Sequence, residues 1–90
     1  MVRLITQETD VLIVVLKMPI RLAGDVLDHF GSRAKMTDLG DGMMEVHLFA
    51  TEEAMRYFAL QYGASGCEVV SPLSLREQIR LDLEKILKRF

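Results

Sequence analysis

Tryptophan and asparagine are missing from this chain, and cysteine, histidine and proline are scarce: one, two and two among ninety residues. A lone thiol closes no disulfide within the chain and cannot supply the roughly four thiolates of an iron–sulfur cluster. Such sparing use of cysteine points to a reducing, cytoplasmic setting. Long apolar runs are absent as well. The longest, residues 11–16, is far short of the roughly 20 residues that span a bilayer, and no basic-then-apolar leader opens the chain. No membrane association is expected. Charge of one sign is also lacking: the formal net charge is −2, so the chain as a whole exerts no pull on nucleic acid or anionic lipid.

What is present fits one globular domain, with 50% apolar and 27% charged residues. At this length it buries roughly 60–65% of its unfolded surface and is stable by roughly 5–10 kcal/mol. Residues 1–9 read as a linker-like lead-in and residues 10–90 as the domain. Residues 10–17 are β-branched and almost continuously apolar, the mark of a central strand, and Met18-Pro19 ends it. Within residues 20–30, Leu22, Ala23, Val26, Leu27 and Phe30 fall on one helical face, and Gly31 is suited to terminate that helix. Two strands, residues 34–39 and 43–50, join through the hairpin turn Gly40-Asp41-Gly42. Thr51 caps a second helix that carries Glu52 and Glu53 in its first turn, buries Met55, Phe58, Ala59 and Tyr62, and stops at Gly63. Residues 67–70 form a short fourth strand. Ser71-Pro72 then offers a hydroxyl N-cap with proline at the first helical position, and Ser74-Leu75-Arg76-Glu77 a second possible start. The final helix carries Leu75, Ile79, Leu83, Ile86, Leu87 and Phe90 along one stripe, with Arg76, Glu77, Arg80, Glu84, Lys85 and Lys88 in water.

This order predicts an α+β domain: a ferredoxin-like βαββαβ unit whose four-stranded antiparallel sheet carries two helices on one face, plus an extra C-terminal helix. The first and third strands are then central. Side-chain alternation turns Leu12, Val14 and Leu16, with Met44, Val46 and Leu48, toward the helices. It leaves Val11, Ile13, Val15 and Lys17, with Met43, Glu45, His47 and Phe49, on the open side. There Val11, Ile13, Val15, Met43 and Phe49 would make one contiguous apolar patch, larger than a monomer usually exposes. Either the terminal helix folds back over it, or a second copy or another domain covers it. Leu73 and Leu81, off the helix's main stripe, leave apolar surface for a partner.

No residue pattern asks for catalysis. His29 falls in the last turn of the first helix, where a cation complements the dipole, and His47 stands mid-strand; neither has a neighbour at metal-binding spacing. Cys67 opens a strand as a small apolar residue, with no histidine placed to activate it. Asp25 and Asp28 read as a solvated helix face, and Gly40 with Gly42 as a turn, since a phosphate cradle wants more glycines running into a helix N-terminus. Acylphosphatases, which share only this topology, rely on an asparagine that this chain lacks. The methionines after Met1 are core filler, with Met43 and Met44 able to serve an adaptable contact. No enzymatic activity, metal or cofactor is expected. RNA-recognition sheets stack bases on aromatics of the two central strands, but Gly42-Met43-Met44-Glu45-Val46-His47-Leu48-Phe49 lacks the paired aromatics and the basic residue. Lys85, Lys88 and Arg89 make the end of the last helix basic; the helix dipole alone accounts for cations there, and phosphate contact is the lesser reading.

Asp28-His29-Phe30-Gly31, the hairpin into Glu45-Val46-His47-Leu48, Tyr62-Gly63, and above all Val69-Val70-Ser71-Pro72 followed by Leu75-Arg76-Glu77 and Leu87-Lys88-Arg89-Phe90 resemble the C-terminal extension (WCX) domain of bacterial WYL-domain transcriptional regulators. The likeness covers nearly the whole chain from Asp10 onward. It implies a ferredoxin-like fold and a non-catalytic role in dimerisation and in coupling a sensed effector, sometimes a nucleic acid, to DNA binding. The WYL domain, its Trp-Tyr-Leu signature and the winged helix-turn-helix of that family are not in this sequence, so the family's ligand residues do not carry over. The chain then reads as a piece of a longer regulator that meets DNA only indirectly. Its partners are a second copy and the WYL and helix-turn-helix domains of the same protein. The alternative is a stand-alone ferredoxin-like homodimer binding a small regulatory ligand, as ACT-type domains do by analogy of fold. Arg76, Arg80, His47 and Phe49 are the candidate ligand or partner contacts.

Overall fold

The computed structural model describes residues 11–90; the lead-in, 1–9, and the first residue of the expected strand, Asp10, lie outside them. Along the chain run β1 (Leu12–Pro19), α1 (Ala23–Phe30), β2 (Lys35–Asp38), β3 (Met43–Ala50), α2 (Glu52–Tyr62), β4 (Glu68–Ser71) and α3 (Leu73–Leu87). The architecture is α+β, an open antiparallel sheet of four strands in the order β2-β3-β1-β4 with three helices. The two most apolar strands, β1 and β3, hold the centre, where both backbone edges are paired.

Their register sets Leu12 opposite Ala50 and Pro19 opposite Met43. Alternation sends Val14, Leu16 and Met18, with Met44, Val46, Leu48 and Ala50, into the core and leaves Ile13, Lys17, His47 and Phe49 in water. The parity read from the sequence therefore holds on both strands. All three helices feed the one core on that side: Val26 and Phe30 from α1, Met55, Phe58 and Ala59 from α2, Leu75 and Ile79 from α3. Phe30 and Phe58 meet edge to face with ring centroids 5.1 Å apart, and His29 and Tyr62 extend the cluster between α1 and α2. The Tyr62 hydroxyl donates to Asp25 at 3.3 Å, which makes Asp25 half-buried instead of the solvated position expected of it.

Several expected boundaries move, each for a local reason. β1 runs on through Met18 and Pro19, because β4 reaches only as far as Lys17 on that side and no ladder donor is asked of residue 19. The Pro19 ring packs on Gly66, whose φ is +108° and where an added Cβ would lie 3.0 Å from Pro19 Cγ. The first helix opens as a 3₁₀ turn, Ile20–Leu22, and only then becomes α-helical. Its eight α residues seat just Val26 and Phe30, so Leu27, expected inside, is 49% exposed. Thr51 does cap α2, its Oγ1 accepting from the Ala54 N–H at 3.2 Å. Ser71 is not a cap. It ends β4, Pro72 takes the N-cap position in extended geometry, and α3 starts at Leu73 with no side chain bonding its first turn. Cys67 lies just ahead of β4, half-buried.

Candidate functional site

The open face of the sheet is built from cross-strand pairs. Ile13 stands opposite Phe49, Val15 opposite His47 and Lys17 opposite Glu45. Lys35 of β2 stands opposite His47, and Glu68 of β4 opposite Lys17. The face thus divides along the strand direction. One end is apolar: Ile13 is 67% and Phe49 55% exposed, with Val11, Val15 and Val70 beside them. The other end alternates in sign across the strands, Lys35, Glu45, Lys17, Glu68, and His47 Nε2 donates to Glu45 Oε1 at 2.9 Å. Met43 does not belong to the patch, contrary to the expectation. Glu45 and His47 separate it from Phe49 along β3, and it faces Pro19 at the far end.

The terminal helix does not cover this face. Leu75 and Ile79 seat it in the core with α1 and α2, on the opposite side of the sheet. A bidentate pair then fastens it to α2: Arg56 Nε and Nη2 each donate to an Asp82 carboxylate oxygen at 2.8 Å. Those two bonds, helped by one from Gln78, hold the Asp82 carboxyl below the usual carboxylate range. Past Asp82 the helix outruns the core. Leu83, Ile86, Leu87 and Phe90 continue the stripe of Leu75 and Ile79, yet all four are exposed, Leu87 by 74%. A helix of fifteen residues is about 22 Å long, whereas the four-residue β4 beside it reaches about 13 Å. Only the first half of the predicted stripe finds a core beneath it.

Two shallow grooves separate α2 from α3. One, of about 570 Å³, has Glu52, Glu53 and Tyr57 on one wall and Lys85, Ile86 and Arg89 on the other. The second, of about 480 Å³, is lined by Leu60, Ala64, Cys67, Val69, Arg76 and Ile79 among others. Burial pushes the Cys67 thiol up to about 11, which leaves it a poor nucleophile at neutral pH.

The four residues singled out as contacts do not converge. His47 and Phe49 lie two apart on β3, on the open face. Arg76 and Arg80 lie on α3, where Arg76 reaches Glu68 at 3.8 Å and Arg80 pairs with Glu77 at 3.4 Å. Arg76 comes closest to joining the sheet-face set, because its partner Glu68 stands opposite Lys17. Arg56 and Asp82 were not foreseen, since nothing local marks residues 26 positions apart as partners. Val70 was missed as well: alternation along β4 buries Val69 and turns Glu68 and Val70 outward, next to the slip in register between Val15 and Leu16. Among the described residues no group of three or more His, Cys, Asp and Glu side chains is placed to hold a metal ion, and no helix is long and apolar enough to cross a membrane. No protein-family model matches this chain, and no curated protein does. What these surfaces offer chemically is apolar contact framed by charge.

Proposed function

We propose that this chain is a non-catalytic regulatory and dimerisation domain of the WCX type. In that role it couples effector sensing by a WYL domain to DNA binding by a helix-turn-helix domain, both outside these ninety residues. The observation that supports this reading is the apolar end of the open sheet face, where Ile13 and Phe49 stand side by side in water. Covering such a pair with a partner gains about 25 cal/mol per Å² of apolar surface, and the charged zone of Lys17, Lys35 and Glu45 next to it fixes register. The strand order β2-β3-β1-β4, with α1 and α2 each joining strands that are not neighbours, supports the ferredoxin-like reading of the fold. The working site of such a regulator is the cytoplasm, and this domain meets DNA only through its partners.

The test uses the protein encoded by the whole reading frame that contains this chain. The frame is expected to encode WYL and winged helix-turn-helix segments, and its product to select a motif from a pool of random DNA. An Ile13→Glu/Phe49→Glu variant is expected to bind that motif about tenfold or more weakly while melting within a few degrees of the parent. A frame with neither segment, or a variant that binds DNA as tightly as the parent, overturns the proposal.

A further inference from the structure

We infer that the open face of the sheet binds the same face of a second copy, related to it by half a turn about an axis that runs along the strands between β1 and β3. This rests on reading that face as the domain's working surface, and adds which partner it takes and in what orientation. Strand order and register set the outward side chains in rows across the sheet. Phe49 and Ile13 make one row; Lys35, His47, Val15 and Ser71 the next; Thr37, Glu45, Lys17 and Glu68 the third; Met43 and Pro19 the last. The rotation exchanges β1 with β3 and β2 with β4, and keeps every row at its own level. Phe49 then meets the second copy's Ile13, His47 its Val15, and Met43 its Pro19. In the third row Glu45 meets the second copy's Lys17, and two-fold symmetry makes that contact twice. Lys35 falls opposite the second copy's Ser71, one row from its Glu68, which Arg76 of its own chain holds only loosely, at 3.8 Å. No like charges stand face to face.

Other axes fail on the same residues. One along β1 sets Lys17 against Lys17, and one along β3 sets Glu45 against Glu45. An axis laid across the strands lands Val11, Ile13, Val15 or Lys17 itself on the second copy's Lys17, depending on where it crosses β1. Only the midline between β1 and β3 overlaps all four strands, so an axis nearer either edge covers less. Val11, Ile13, Phe49 and Val70 expose roughly 350 Å², and with the charged rows and the Met43 end the face offers roughly 800 Å² per copy, the size of a standard interface. About half of that area is polar, which suits a pair that dissociates on dilution. A face that received an unrelated protein would have no need to match itself row by row.

Sedimentation velocity on the chain from about 2 μM to 1 mM tests it, with circular dichroism to show that each variant is folded. The parent is expected to pass from monomer to dimer across this range, and Ile13→Glu and Phe49→Glu each to stay monomeric. Lys17→Glu and Glu45→Lys are each expected to dimerise about tenfold or more weakly, because each turns both contacts between Lys17 and Glu45 of opposite copies into repulsions. Mixed one to one, these two variants are expected to form a heterodimer within about threefold of the parent's affinity, since both contacts between them are again opposite in sign. The mixture isolates the contact between copies, because each variant keeps the like-charged pair within its own sheet. A parent that stays monomeric at 1 mM overturns the inference, as does a mixture that associates no better than its components, or a dimer that survives Ile13→Glu and Phe49→Glu. If the chain is monomeric and the Ile13→Glu/Phe49→Glu variant of the whole protein still loses DNA binding, the inference falls and the regulatory role stands, with another domain on the face. A dimer that obeys the charge exchange, from a reading frame that encodes no DNA-binding segment, supports the inference while removing that role.

Discussion

Leu75 and Leu87 are the same residue type on the same stripe of the same helix, and the fold assigns them opposite fates. Leu75 is 1% exposed in the core, whereas Leu87 lies past its end. Truncating Leu75 to alanine removes about three buried carbon groups at about 0.8 kcal/mol each, and the cavity left among α2, α3 and β4 adds to that, for a loss of about 3–4 kcal/mol. This is a third to a half or more of the stability available to a domain of this size. With a urea slope of about 1 kcal/mol per molar, the unfolding midpoint of Leu75→Ala should fall by about 3 M. Leu87→Ala should lose less than about 0.5 kcal/mol. The assay is a pair of urea titrations followed by far-ultraviolet circular dichroism at about 2 μM protein, a concentration too low for association to contribute. Equal losses at the two positions would refute the placement of the core's edge. A loss below about 1 kcal/mol at Leu75 would refute the docking of α3 itself.

Glycine positions give an opposed pair: Gly66→Ala, which forces a Cβ against the Pro19 ring at a positive φ, should destabilise by about 1–3 kcal/mol, whereas Gly24→Ala, in a helix with open space around it, should stabilise by about 0.4–1 kcal/mol, both read from thermal melts. Asp82 has a lower pKa folded than unfolded, so the stability it adds is present above about pH 4 and lost as pH falls through the depressed folded value. The gap in melting temperature between the parent and Asp82→Asn should therefore be largest near pH 6 and close toward pH 3; a constant gap would contradict the Arg56 pairing. Cys67, with its thiol pushed up to about 11, should react with iodoacetamide at pH 7.5 about a hundredfold more slowly than a free cysteine, and a rate equal to that of the unfolded chain would show the site to be open.

The period-two patterns of β1 and β3 were readable because each strand has one face in a core, so every second residue must be apolar. The cap at Thr51 and the turn through Gly40 and Gly42, with φ of +97° and +83°, were readable because local geometry decides them. Long-range matters were not. Periodicity shows that Leu75 and Leu87 share a helix face, but not where the sheet beneath that face stops. The ion pair of Arg56 and Asp82, which fastens α3 to α2 on the helical side of the sheet, joins residues whose surroundings give no hint of each other. Leu27 looked buried because it sits on the apolar arc of α1, yet a helix of two turns presents too narrow a stripe to seat it. Of the contact residues, Phe49 and His47 share the sheet face and Arg76 and Arg80 lie on α3, a separation that side-chain spacing alone does not reveal.

The outermost strands, β2 and β4, are four residues each, and the pairing of β4 is broken by its slipped register. An extended peptide laid along either margin would find few main-chain hydrogen bonds to make, and on β2 it would run past Lys35, Thr37 and Asp38. Sideways growth into ribbons or fibrils is thereby discouraged. Association of this domain is confined to its faces and denied to its edges.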